Sequence, residues 1–195
     1  MIGEACSRCG VALPGGGTCG SCLRAPPPFE RLVSAYAYRF PLDRLVLRFK
    51  RAGDLATGDW LARRLADRVR GEPPPDGLVA PPLSSARLRA RGFNQSHVLA
   101  RRVASALGVP VLAGGVRRIR DTAPQAGLGR EARRRNLRGA FACELDLRGR
   151  RIAIVDDVVT TGATAEALTE ALAAAGARSV VVWALARTPE PRPPN

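Results

Sequence analysis

The chain has 195 residues, with 31 Lys and Arg against 17 Asp and Glu for a formal net charge of +14, and 46% hydrophobic residues. That composition belongs to a folding domain with one core, and no apolar run reaches the roughly 18 residues of a membrane-spanning helix. The single lysine, Lys50, lies outside any glycine loop and no G-x4-G-K-[ST] string occurs, so P-loop nucleotide hydrolysis is excluded. Met1 to Gly10 carries neither the basic start nor the apolar stretch of a signal peptide, and the expectation is a soluble cytoplasmic protein in a reducing compartment.

Four of the five cysteines fall in the first 22 residues, as Cys6-Ser7-Arg8-Cys9 and Cys19-Gly20-Ser21-Cys22. Each C-x2-C knuckle can present two thiolates to one ion, and the surrounding glycines permit the tight turns of a ribbon. Tetrahedral zinc is the expected occupant. Disulfides, idle thiols or an iron–sulfur or redox role are the alternatives, the spacing between knuckles being short for one ribbon; a reducing compartment disfavours the disulfides. So short an arm has little core, and metal binding, worth roughly 10–16 kcal/mol in zinc-finger peptides, would be what folds it. The arm is assigned to residues 1–25 and a main domain to residues 30–188, with Pro26-Pro27-Pro28 as the hinge.

Along the main domain, Leu42, Leu45, Val46 and Phe49 share one face and predict a helix over Pro41 to Lys50, followed by another over Asp54 to Val69. Pro73-Pro74-Pro75 marks a loop. A short strand is predicted at Gly77 to Ala80, a helix at Asn94 to Leu107 and a strand at Val109 to Ala113. With Ile152 to Val155 and Ser179 to Ala186 there are four apolar strands separated by helices. This is the pattern of an open, mostly parallel α/β sheet with helices on both faces. His97, at mid-helix, and the isolated Cys143 read as structural, the latter as a buried apolar residue. Pro189 to Asn195 reads as a frayed tail.

The run Ile152 to Thr164 carries the most chemistry. Asp156 and Asp157 are placed at the carboxyl end of a buried strand, where ligands bind in open α/β sheets. Thr160, Thr161, Gly162, Ala163 and Thr164 then open a helix over Ala165 to Ala175. A loop opening a helix points unpaired N–H groups outward, and the helix dipole adds roughly 0.3–1 kcal/mol toward an anion. The acids would repel a phosphate. They suit sugar hydroxyls, or a divalent cation bound with them. The reading requires both acids to face a cleft rather than to be consumed in buried ion pairs, and the threonine turn to open onto that cleft.

Positive charge is concentrated in residues 84 to 138, where 13 arginines face only Asp121 and Glu131. A basic segment of this kind implies a polyanionic partner, a pyrophosphate or a nucleic-acid backbone. Few stacking aromatics accompany it, so sequence-specific reading of single strands is disfavoured. Backbone binding would show log affinity falling by about 0.7 per phosphate neutralised on a single strand as salt rises.

The cysteine knuckles, Lys50 with Gly53-Asp54, Arg91-Gly92-Phe93-Asn94-Gln95, Thr122 to Gln125 with Arg134 and Asn136, and the run Ile152 to Thr164 together resemble the ComF-type competence protein family. The resemblance implies a type I phosphoribosyltransferase fold with an N-terminal zinc ribbon on Cys6, Cys9, Cys19 and Cys22. It implies a cytoplasmic role in handling incoming single-stranded DNA, here through the basic segment 84–138. It further implies that phosphoribosyl pyrophosphate (PRPP) binds with magnesium. Asp156 and Asp157 would be the catalytic acids holding the ribose, Thr160 to Thr164 would hold the 5-phosphate, and Arg91 would face the pyrophosphate. Lys50 is a further candidate contact, and Asn94 and Gln95 would orient the loop or touch a second substrate. The charged stretch Arg117 to Arg138 would be a hood over the site. A nucleic-acid-binding adaptor and a PRPP-responsive regulator without turnover are the alternative functions.

Overall fold

The computed structural model describes residues 3–120 and 130–189. A helical turn α1 (Gly20–Arg24) ends the cysteine-rich arm and β1 (Leu32–Ala37) opens the domain. There follow α2 (Leu42–Ala52), α3 (Leu55–Val69), β2 (Gly77–Val79), α4 (Ser85–Arg91) and α5 (Gln95–Leu107). The chain continues through β3 (Val116–Arg118), α6 (Arg130–Leu137), β4 (Phe141–Cys143), β5 (Arg151–Val159), α7 (Ala163–Ala174) and β6 (Ser179–Arg187).

Four strands pair in the order β1-β6-β5-β2, all parallel, while β3 and β4 form a separate antiparallel pair. Parallel strands buried on both sides are near-continuous apolar runs, as β5 and β6 are. One face carries α2, α3 and α5, whose Val46, Phe49, Leu61, Leu65, Leu99 and Val103 pack with Val155 and Trp183. The other carries α7 and the β3–β4 pair, with Leu168, Leu172 and Phe141 against Ile152, Ile154 and Val182.

Local signals set the helix limits. Asp54 accepts from Thr57 N at 3.0 Å and starts α3, and Gly53, at φ 62°, stops α2 in the left-handed region that glycine adopts without strain. Asn94 Oδ1 accepts from Ser96 N and His97 N at 3.0 and 3.2 Å and starts α5. Against the sequence expectations, β1 and the β3–β4 pair are additional strands. The segment Val109 to Ala113 contributes only a single parallel bridge, Leu78 to Val111, rather than a strand. Helix α7 begins two residues earlier than predicted and β5 continues to Val159, past both acids. Cys143 sits on the second core but is only half-buried. Of the expected hood, β3 and α6 are described and residues 121–129 lie outside the described residues, as does the tail beyond Pro189.

The arm docks on the start of β1. Leu32 N donates to Arg8 O at 2.8 Å, and Gly10, at φ 66°, comes so close that a Cβ there would lie 2.6 Å from Leu32 Cδ2 and 2.8 Å from Leu32 O. Gly10→Ala is therefore expected to destabilise the protein by about 1–3 kcal/mol, from positive-φ strain and a backbone clash together. A denaturation midpoint unchanged from wild type would show that the arm does not sit this tightly.

Candidate functional site

The carboxyl end of the sheet opens into a cleft of about 290 Å³. Strand β5 brings Asp156 and Asp157, the turn after it Thr160, and the first turn of α7 brings Thr164. The end of α2 brings Lys50, α4 brings Arg87 and Arg91, α5 brings Gln95 and Ser96, and β3 brings Arg118. Thr161, Gly162 and Ala163 line a smaller hollow of about 20 Å³ inside the same turn, which Asp156, Thr160 and Thr164 also border. Asn94 does not line the cleft. Its Nδ2 donates to Pro81 O at 2.9 Å and ties the start of α5 to the wall formed by Pro81 to Leu83. Gln95 accepts a hydrogen bond from Arg91, which anchors α4 to α5.

The two acids have different surroundings although they are neighbours in sequence. Asp157 is buried, 3% exposed, and pairs with Lys50 Nζ. Asp156 is mostly buried but less so than Asp157, and accepts from Ser96 Oγ at 2.8 Å. The requirement drawn from the sequence is met in part: the threonine turn opens onto the cleft and both acids line it, but Asp157 is held in an ion pair. Lys50 is thus a residue of the cleft wall, its side chain 20% exposed.

The electrostatics follow from this geometry. Burial, and then the adjacent Asp157 carboxylate, push Asp156 up to about 7, while the Ser96 hydroxyl draws it down. Burial also acts to raise Asp157, but the Lys50 charge and hydrogen bond outweigh it and hold that carboxyl below its ordinary value. One acid is therefore a fixed carboxylate, and the other changes charge near neutrality. Arg87, Arg91 and Arg118 also line the cleft, and a guanidinium can bind two oxygens of an oxyanion at once. At the far end, Gly162 at φ 89° caps α7 and leaves the first-turn amides directed toward the turn.

The cysteines form a second centre. The Sγ atoms of Cys6, Cys9, Cys19 and Cys22 all lie within 4.8 Å of one another and all four residues are buried. A buried set of four thiols fits a tetrahedral metal better than water-exposed or paired cysteines would, and all four are unbridged. Burial pushes the Cys22 thiol up. For Cys6 the backbone amides of Cys19, Cys9 and Arg8 overcome burial and lower it to about 6.

The sequence reading did not single out Ser96, Arg87 or Arg118. Ser96 lies next to a block that was singled out, and only its meeting with Asp156, 60 positions away, gives it a role. Arg87 stands two residues after the start of the Ser84-capped helix that follows the β2 loop, a placement that could have marked it. Arg118 looked like any other arginine in its tract.

An open parallel sheet with this cleft defines a phosphoribosyltransferase-type domain, and the family model described as "Phosphoribosyl transferase domain" matches residues 94–195. The chain is 44% identical over 194 residues to DNA utilization protein YhgH of Salmonella typhi, covering 94% of this chain and 84% of that one. It is 34% identical over 192 residues to Competence protein F of Haemophilus influenzae, covering 93% of this chain and 84% of that one. A purine phosphoribosyltransferase from Pyrococcus horikoshii superposes on 67% of this chain and 73% of its own with a TM-score of 0.42 at 23% identity. The chain belongs to the ComF-type family and has the type I phosphoribosyltransferase fold, with an N-terminal cysteine cluster that fits a zinc ribbon. Among the described residues no helix is long and apolar enough to cross a membrane.

The raised Asp156 has a measurable consequence. Its folded value of about 7 exceeds the unfolded value of about 3.9, so the native state holds a proton that the unfolded chain has released, and stability falls as pH rises between the two. Asp156→Asn keeps the acceptor for Ser96 and removes the charge. Its melting temperature should exceed that of wild type at pH 8, with the gap closing toward pH 4. An equal gap at both pH values would show that Asp156 is not the group that titrates.

Proposed function

We propose that this protein binds PRPP at the carboxyl end of β5, and that it serves DNA utilization or competence as a cytoplasmic ComF-type phosphoribosyltransferase-like protein. The observation that carries the reading is the division of one cleft into an acidic floor at Asp156 and Asp157, a hydroxyl and amide turn at Thr160 to Thr164, and a cationic wall at Arg87, Arg91 and Arg118. A phosphorylated pentose bearing pyrophosphate has the matching order of charge: hydroxyls in the middle, a phosphate at one end and a diphosphate at the other.

Asp156, the more accessible acid, takes a ribose hydroxyl directly, and Asp157 is kept ionised beside it by Lys50. The pair of acids, one near neutrality and one fixed, fits a divalent cation as well as hydroxyl groups, since hard cations choose oxygen ligands. Magnesium, when bound with the pyrophosphate, would neutralise charge on the leaving group. The reaction class such a cleft supports is displacement at the anomeric carbon: the bond to the pyrophosphate oxygen breaks, a bond to a nitrogen nucleophile forms, and the nucleophile's proton passes to solvent. Positive charge develops on the sugar ring in that step, and carboxylates at 156 and 157 would stabilise it. Asn94 and Gln95 hold the walls through Pro81 and Arg91.

We read residues 1–25 as the metal-binding arm, with zinc on Cys6, Cys9, Cys19 and Cys22, and residues 30–188 as the phosphoribosyltransferase-like domain. The names of the relatives favour single-stranded DNA as a partner of the basic segment 84–138. A consumption screen of PRPP across bases and amines, with and without single-stranded DNA, separates an enzyme from a nucleic-acid adaptor or a regulator without turnover.

Two experiments test the reading. Calorimetry is expected to show PRPP binding in the presence of magnesium, and loss of that binding in the double variant Asp156→Asn with Asp157→Asn while its circular dichroism stays native. Unchanged affinity in that variant would overturn the assignment. Elemental analysis of freshly purified, reduced protein should find one zinc per chain, and a result of none would remove the ribbon.

A further inference from the structure

Arg187 closes β6 and is buried, 3% exposed, far from any role assigned so far. Its guanidinium reaches two places at once. Nε donates to the carbonyl of Cys9, inside the first cysteine knuckle, at 3.0 Å. Nη1 donates to the carbonyls of Val159 at 3.2 Å, of Thr160, and of Thr188 at 3.1 Å. Val159 and Thr160 are the last residue of β5 and the first of the turn that holds the 5-phosphate in the function proposed above. A cation withdrawn from water needs hydrogen-bond acceptors, and here three separate segments of main chain supply four carbonyls to Nε and Nη1.

We propose that Arg187 is a positioning residue that couples the cysteine centre to the phosphate turn, so that loss of metal from the cysteines loosens Thr160 to Thr164 and lowers affinity for a 5-phosphorylated sugar. The inference rests on the reading of that turn as the phosphate site. The arm's buried cluster consists of the four cysteines and Val11, so without a metal it has almost nothing to hold its shape. Its contacts with the hinge and the domain run through the knuckle itself: Arg8 Nη2 to Pro27 O and Phe29 O, Arg8 O to Leu32 N, and Cys9 O to Arg187.

The space between knuckle and turn is about 20 Å³, lined by Cys9, Cys22, Thr161, Gly162, Glu166 and Arg187. That is room for about one water, so little displacement of the knuckle can be absorbed there. When the Cys9 carbonyl leaves, Nε loses its acceptor and the guanidinium shifts toward another acceptor or water, which loosens its hold on the turn; Thr188 N still holds the Val159 carbonyl at 3.0 Å, so the change falls mainly on Thr160. Arg187 thus acts on the ligand only through the turn, without touching the reacting atoms.

Hydrogen exchange on the full chain tests this. Stripping metal from the wild type with 1,10-phenanthroline should make amides of residues 158–166 exchange about ten-fold faster or more, as expected for losing hydrogen bonds to a charged group, while α3 and the centre of β5 stay protected. Arg187→Met with metal bound should show the same local change, and stripping metal from that variant should add nothing further, because the two perturbations break one link. Affinity for PRPP should fall in parallel, with Arg187→Lys intermediate. Turn exchange that is indifferent to metal, or losses from stripping and from Arg187→Met that simply add, would overturn the coupling. Should Arg187→Met fail to fold, Arg187→Lys and the stripped wild type decide the same question. Failure of the wild type to bind PRPP would refute the ligand reading, whereas the exchange result judges the coupling independently.

Discussion

The pairing of β5 with β6 organises every part of the site. Its register runs from Arg151 opposite Ser179 to Val159 opposite Arg187, and the apolar halves of both strands are buried between helices on either face. Those halves supply the apolar burial that offsets the placing of charge at the other end of the sheet. Because the strands are parallel and end together, Asp156, Asp157, the threonine turn and Arg187 arrive at the same edge. In an antiparallel pair of the same length, Arg187 at the end of β6 would lie at the opposite end of the sheet from the acids on β5.

That edge concentrates unfavourable electrostatics. Two neighbouring carboxylates at low exposure repel one another, and the chain resolves the conflict asymmetrically. Lys50, from the last turn of α2, neutralises Asp157, and Asp156 is left with a hydroxyl partner and a raised proton affinity. An arrangement of this kind is poor for the stability of the free protein and suited to a ligand that brings hydroxyls and a cation of its own. Arg87, Arg91 and Arg118 bring positive charge to the same cleft, a complement suited to an oxyanion.

The arm stands in a different relation to the domain from that of a tethered module. Proline-rich sequence after Cys22 reads as a hinge, yet the hydrogen bonds of Leu32 N to Arg8 O and of Arg187 to Cys9 O, with the close approach of Gly10 to Leu32, seat the arm against β1 and β6 and beside the threonine turn. The cysteine cluster and the threonine turn are therefore neighbours in space although more than a hundred residues separate them in the chain.

The sequence by itself determined what depends on short-range order. Period and caps gave away α2, α3 and α5; the two C-x2-C pairs announced a cysteine centre; and the alternation of apolar strand, paired acids, threonines, glycine and helix marked the site. Strand β1 escaped because Leu32 to Ala37 is short and mixed, and becomes a strand only by pairing with β6, whose sequence lies about 150 residues away. Val109 to Ala113 has the composition of a strand but has one bridge to Leu78 instead of a ladder. Tertiary structure alone decided that Lys50 meets Asp157, that Ser96 meets Asp156, that Arg87 and Arg118 join the cleft, and that Arg187 spans two centres. Each of these is a contact between polar side chains or carbonyls distant in sequence. Their meeting is dictated by how buried apolar faces stack, and the polar residues themselves carry no periodic signal of it.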